Sequence, residues 1–113
     1  MNHDFQLPHH KLHAYGVAIR LLQAVRDSRI RDAHLREHAM KSAKSAALNT
    51  AEGAGRVTRA DKGRSFTIAR AEACEACAAV EIAVAAGDAN AESLEAVLAL
   101  GDRFVAMTTA LIR

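Results

Sequence analysis

TRADKGRSFTIARAEACEACAAVEIAVAA, residues 58–86, decides the fold. Thr58 and Asp61 stand three apart at its start, as in a capping box, so the spacing predicts a helix that opens at Thr58. Phe66, Ala69, Ala73, Ala76, Val80 and Ala83 then alternate at spacings of three and four and form one apolar stripe. Ile68, Ala71, Ala79, Ile82 and Ala86 form a second stripe, offset from the first. The helix is expected to run to about residue 86 and to end at Gly87. Gly63 in its first turns costs about 0.5–1 kcal/mol relative to alanine. A helix apolar on two sides is covered on two sides. The second cover is either another helix of the same chain or a neighbouring subunit.

The flanking sequence supplies three more helices. Leu12, Tyr15, Ile19 and Leu22 make an apolar stripe on a helix expected over about residues 9–28, with Pro8 suited to its first turn. Asp32 is the expected N-cap of a second helix over about residues 33–52. Leu35, Ala39, Ser42, Ala46 and Asn49 lie along one of its faces, and Gly53 is read as its left-handed terminator. The fourth helix, about residues 91–112, follows Asn90 as N-cap, with Glu92 in its first turn. Leu94, Val97, Leu98, Gly101, Val105, Thr108 and Ile112 make its seam. Short connections make sequential helices antiparallel neighbours. The expected fold is all-α, a single up-and-down antiparallel four-helix bundle spanning residues 1–113.

Composition fits this fold and excludes others. Half of the 113 residues are hydrophobic, but only 4% are aromatic and about a quarter are alanine. Alanine favours helix yet adds little core volume, so each contact stabilises weakly and self-association is a ready source of further burial. Regular turn signals of an all-β chain are absent. No apolar run is long enough to span a membrane. Met1 to Leu7 lack the pattern of a secretory leader, and the expected location is the cytoplasm.

Charge is distributed unevenly. The formal net charge is only +2, but residues 72–102 hold seven acids and no Lys or Arg. Residues 1–70 hold 13 basic residues against six acids. On an up-and-down bundle, Arg26, Arg29, Arg31 and Arg36 fall at the same end as Glu81, Asp88, Glu92 and Glu95, where they offset one another. The opposite end gathers Lys11, Arg56, Arg59, Lys62, Arg64 and Arg113 against Glu52 and Asp61. It also holds the N-terminus of the third helix, whose free N–H groups favour an anion. Lys11, Arg56, Arg59, Lys62 and Arg64 are therefore the candidate nucleic-acid contacts. The competing reading is a solvated basic loop with Arg56 paired to Glu52.

Signals for chemistry are weak. Cys74 and Cys77 form a C-x-x-C, but inside a helix rather than at its start, and two thiols alone make no structural zinc site. They read as packed, reduced cysteines. His9 and His13, and His34 and His38, share helix faces at spacings of four. The two pairs belong to opposite ends of the bundle, so no metal site and no cofactor are expected. No phosphate-binding loop, nucleophile elbow or paired acid/base motif occurs. No catalytic residue is assigned, and the chain is expected not to be an enzyme.

Ser45, Asn49, Ala51, Glu52, Gly53, Gly55 and Arg56 form a signature that resembles the second helix of the 23S rRNA intervening-sequence protein family. Phe66, Ile68, Ala69, Arg70 and Glu75 are similar to the signature of that family's third helix. The likeness spans roughly residues 10–112, with Leu12 and Tyr15 also in pattern. Met40-Lys41 replaces a usual arginine pair, Ala47 a common proline, and Ala71-Glu72 a usual Gly-Ser. The resemblance implies a four-helix bundle that assembles as a homopentamer. It also implies kinship with the accessory protein of diversity-generating retroelements, which binds a reverse transcriptase and nucleic acid through basic surfaces.

The motif residues Ser45, Asn49, Glu52, Gly53, Gly55, Arg70 and Glu75 read as structural. Asn49 on the helix seam is expected to bond a neighbouring helix or backbone, because a buried amide without partners is costly. Glu52 is expected to pair with Arg70 or Arg56. The functional expectation is a non-enzymatic oligomeric adaptor that binds RNA or DNA, or a reverse transcriptase-like protein. The alternative is a purely protein-binding or structural homo-oligomer.

Overall fold

The computed structural model describes residues 6–113. The expected absence of a leader over Met1 to Leu7 falls, for residues 1–5, outside the described residues. Four α-helices and no strand occur among the described residues: α1 (His13–Asp27), α2 (Ala33–Gly55), α3 (Arg59–Ala85) and α4 (Leu94–Ile112). Short 3-10 turns, Pro8–Lys11 and Ala91–Ser93, precede α1 and α4. At 1.5 Å per residue α3, with 27 residues, is about 40 Å long, which accounts for most of the 44 Å long axis. Each helix packs on its chain neighbours, and α1 also packs on α4, so the four surround one core.

Local chemistry explains the helix starts. The Asp32 carboxylate accepts from the backbone N–H of Leu35 at 2.9 Å, and the Thr58 hydroxyl accepts from Asp61 N–H at 3.1 Å. Asn90 accepts from Glu92 N–H at 3.0 Å, capping the 3-10 turn that leads into α4. These bonds satisfy donors that a helix N-terminus leaves without partners. The end of α3 is as the sequence implies. Gly87 adopts φ 78°, in the left-handed region that suits glycine.

Three boundaries differ from expectation. Ala91–Ser93 form a 3-10 turn, so α4 begins at Leu94 and not at about residue 91. Residues 8–12 do not begin α1: Pro8–Lys11 form a 3-10 turn, and Leu12 is extended (φ −100°, ψ 116°). Gly53 does not terminate α2, which continues to Gly55 without a positive φ. Gly53 is instead buried where α2 meets α3. A Cβ there would lie 2.6 Å from Cε1 and 2.8 Å from Cδ1 of Phe66. The glycine is needed for close approach, not for a turn.

The core is built of small residues. Ala39, Ala43 and Ala46 of α2 face Ala69, Ala73, Ala76, Val80 and Ala83 of α3, all fully buried. On α1 the buried line is Ala14, Val17, Ala18, Leu21 and Val25; the expected stripe of Leu12, Tyr15, Ile19 and Leu22 is its half-buried flank. Phe104 of α4 is the largest fully buried side chain and was missing from the expected seam. It continues the line Val97, Gly101, Phe104, Thr108. The second stripe of α3 divides. Ala79 is buried, whereas Ile68 and Ile82 are 45% and 56% exposed, and Ala71 and Ala86 are exposed as well. Among the described residues, no other helix covers Ile68 and Ile82 on that side.

Candidate functional site

The basic residues come from the α2–α3 corner, the turn before α1 and the first turns of α3. The corner is short because α2 ends at Gly55 and Thr58 already caps α3. Lys11, Arg59 and Lys62 line one hollow of about 410 Å³, together with Pro8, Leu12 and Leu111. Arg56 and Arg64 line a second hollow of about 290 Å³, with Asn49, Glu52, Asp61 and Ser65. The structure thus brings the five candidate residues to one end but divides them between two hollows. Val57, at the tip between α2 and α3, is 91% exposed.

Several of these cations have structural work. Lys62 Nζ donates to the carbonyls of Ala54 (2.9 Å) and Gly53 (3.3 Å), capping the last turn of α2 with a positive charge. The Arg59 guanidinium donates to the Arg113 carbonyl and joins α3 to the end of α4. Arg56 pairs with Glu52 at 2.5 Å, one turn apart on the surface. That pair was one of the two expected for Glu52; Arg70 is not involved. The Arg70 Nε donates instead to the Thr109 hydroxyl at 2.9 Å, tying α3 to α4. Among the described residues, Lys11 and Arg64 make no ion pair.

At the opposite end, the expected neutralisation of Arg26, Arg29, Arg31 and Arg36 by Glu81, Asp88, Glu92 and Glu95 is not made by contact. Arg26 pairs with Asp27 at 3.0 Å. The Arg31 side chain donates to the Gly87 carbonyl, its N–H donates to the Asp88 carbonyl, and Arg36 donates to the carbonyls of Ile30 and Arg31. Guanidinium groups find backbone oxygens of the two loops there, because those carbonyls are fixed and close, while Glu81, Glu92 and Glu95 sit on exposed, solvated side chains.

Of the two partners expected for Asn49, a neighbouring helix or backbone, it takes backbone. Its Nδ2 donates to the Ser45 carbonyl (2.9 Å) and hydroxyl (3.0 Å), so its bonds stay within α2. A half-buried amide one turn above a serine satisfies itself locally. Gly53 and Phe66, by contrast, belong together at the α2–α3 contact. No neighbour lies within 4 Å of a Cβ placed on Gly55.

Glu75 lies in a cluster that sequence reasoning did not assemble. The Ser42 hydroxyl donates to Glu75 Oε2 at 3.2 Å, and His38 Nε2 lies 3.1 Å from Oε1. The bond from His38, with further bonds from Glu72 and Ser42, holds the Glu75 carboxyl below its ordinary range. Serine, histidine and a carboxylate meet here, but the carboxylate lies between the other two, so the serine proton points to Glu75 and not to the imidazole, unlike the order of a Ser–His–acid triad. The cluster is a polar tie between α2 and α3. The spacing of His38 and Ser42 by one turn was the available signal.

Cys77 packs between α3 and α4. A Cβ on Gly101 would fall 2.3 Å from its sulfur. Burial first, then Cys74 and Glu81, push its pKa up to about 11, so the thiol stays protonated at neutral pH. Cys74 is exposed and both cysteines are free. Among the described residues, no three His, Cys, Asp or Glu side chains gather as a metal site would require, and no helix is long and apolar enough to cross a membrane. No protein-family model matches the chain, and none of the curated proteins matches it significantly.

Proposed function

We propose that the protein is a non-enzymatic, cytoplasmic oligomeric adaptor that binds nucleic acid, or a nucleic-acid enzyme, through the basic end of an up-and-down antiparallel bundle. The observation that carries this reading is the convergence of Lys11, Arg59 and Lys62 on one hollow and of Arg56 and Arg64 on the next. Neutral carbonyl partners leave the charge of Lys62 in place, and Glu52 and Asp61 are the acids that line these two hollows. The likeness to the 23S rRNA intervening-sequence protein family points the same way and suggests a pentamer. A ring would repeat the basic end and turn weak phosphate contacts into useful avidity.

With few aromatic side chains at that end, the contact is to phosphates rather than bases. Binding is therefore sequence-tolerant and falls steeply with salt. The test is fluorescence anisotropy with labelled single-stranded and duplex oligonucleotides at two salt concentrations. Lys11→Glu with Arg64→Glu is the informative variant, because neither residue has an ion-pair partner among the described residues to lose. It should weaken binding strongly and leave the melting temperature near that of the wild type. Arg26→Glu, at the other end, should matter less. Absence of binding by the wild type at low salt refutes the reading.

The uncovered side of α3 favours the second reading, a purely protein-binding or structural homo-oligomer. Ile68 and Ile82 of α3 and Leu48 of α2 are 45%, 56% and 69% exposed, which suits burial against another copy. Light scattering after size exclusion at micromolar concentration separates the cases. An assembly that binds no oligonucleotide supports this second reading, and a 12.1 kDa monomer refutes both as oligomers.

A further inference from the structure

A further hollow lies away from the basic end's corner, along the outer side of α1 where it meets α4. It measures about 630 Å³, within the range of small-molecule sites. Its floor is apolar, formed by Leu12, Val17, Ile19 and the ring of Tyr15. Its rim is cationic: Lys11 at one end, Arg20 further along α1, and Arg103 reaching in from α4. His13 and Arg20 are seven residues apart, so the trough extends about 10 Å along the helix. No carboxylate lines it among the described residues.

Gly16 supplies an independent observation. It stands in the interior of α1, on the floor of the trough, where glycine weakens a helix relative to alanine. Nothing among the described residues requires it: a Cβ placed there meets none of their atoms within 4 Å, and its φ is not positive. Gly53 and Gly101, by contrast, are each opposed by a side chain. An interior helical glycine without a packing partner leaves the backbone open to something outside the chain.

We propose that this trough binds an amphiphilic organic anion, a medium-chain carboxylate or phosphate monoester, whose apolar chain lies on α1 at Gly16 and whose headgroup is held by Arg20 and Arg103. Guanidinium groups on two helices suit a planar carboxylate or a phosphate, since each offers paired donors to paired oxygens. The apolar floor excludes a plain inorganic anion as the best ligand, because such an anion leaves that surface unburied. Three cations and, among the described residues, no carboxylate on the rim disfavour an amphiphilic amine.

Tyr15 makes the test direct. The chain has one tyrosine and no tryptophan, so intrinsic fluorescence reports on the trough itself. The full-length protein is titrated with dodecanoate and with dodecyl phosphate below their micelle concentrations, and with dodecylammonium and inorganic phosphate as controls. A saturable change with either or both amphiphilic anions, and none with the controls, is the expected result; the two titrations show which headgroup is preferred. Arg20→Gln with Arg103→Gln should weaken binding about tenfold or more, as loss of charged hydrogen bonds does. Gly16→Leu should abolish binding by filling the trough, and the melting temperature should not fall, because a side chain there meets open space. No saturable change, equal binding of the amine, or undiminished binding by Gly16→Leu overturns the proposal. If Gly16→Leu alters the oligomer mass and the wild type binds no amphiphile, the trough is a contact between copies and the proposal is equally refuted.

Discussion

Gly53→Ala is the sharpest test of how the bundle closes. Within a helix the substitution alone should stabilise by about 0.5–1 kcal/mol, because alanine is the better helix former. At Gly53 the added methyl would lie 2.6, 2.8 and 3.1 Å from three carbons of the Phe66 ring. That ring is only 4% exposed and packs at the α2–α3 contact, so to admit the methyl it must leave its packed position and shift toward the hollow it lines. Overpacking of this kind costs about 1–3 kcal/mol. The clash exceeds the propensity gain, and the variant should be destabilised by about 1–2 kcal/mol. For a domain of this size that is roughly 3–10 °C in melting temperature. Gly55→Ala, two residues on with nothing near its Cβ, should be neutral or slightly stabilising. Urea unfolding followed by circular dichroism measures both. Phe66→Leu in the Gly53→Ala background should recover part of the loss, with a coupling of about 1 kcal/mol between two touching positions. A Gly53→Ala protein as stable as the wild type, with no coupling to Phe66, would show that the α2–α3 contact is looser than described.

Further predictions concern the thiols and the polar tie. Cys74 should react readily with a thiol reagent at pH 7, whereas Cys77, raised to about 11 by burial, should react only as the protein opens; equal rates would contradict the packing of Cys77. Cys74→Ala with Cys77→Ala should keep helix content and oligomer mass, and a collapse of either measured by circular dichroism or light scattering would refute a passive role. Glu75 has a folded-state pKa below its ordinary 4.5, so its contribution is present above about pH 4.5 and is lost as pH falls through the folded value. Glu75→Gln should therefore flatten the acid limb of stability against pH. An unchanged limb would mean that the ties to His38 and Ser42 do not persist in solution.

The helices were legible because their signals are local. Thr58, Asp32 and Asn90 each cap within three residues of themselves, and the stripe from Phe66 to Ala83 is buried as its spacing implies. Phe104 was also within reach, since it stands three after Gly101 and four before Thr108 on the buried line. Gly53 was not. A glycine late in a helix has the same local appearance whether it ends the helix or receives a ring from the next one, and Phe66 decides that from thirteen residues away in sequence. The basic end shows the same limit. Its charges are plain in the sequence, but the capping of α2 by Lys62 depends on the turn at Arg56 to Thr58, which places Nζ over the carbonyls of Gly53 and Ala54.

Alanine connects these two outcomes. The α2–α3 interface buries Ala39, Ala43, Ala46, Ala69, Ala73 and Ala76 almost completely. Short side chains let the helices pack closely, and they contribute little burial each. Specific larger contacts must then fix the register: Phe66 over Gly53, Cys77 against Gly101, Ser42 and His38 on Glu75, Arg70 on Thr109. Most of these join different helices through residues that no periodicity pairs. The family-like motif residues Gly53, Phe66, Arg70 and Glu75 are all among them, which gives that signature a physical reason as the register lock of an alanine bundle. Residues outside the lock carry no such duty. Lys11, Arg20, Arg64 and Arg103 are exposed charges that hold no helix in place, so their loss should cost binding rather than folding. The contrast predicts opposite phenotypes: substitutions in the lock lower the melting temperature, and substitutions at these four cations leave it nearly unchanged while altering what the surface binds.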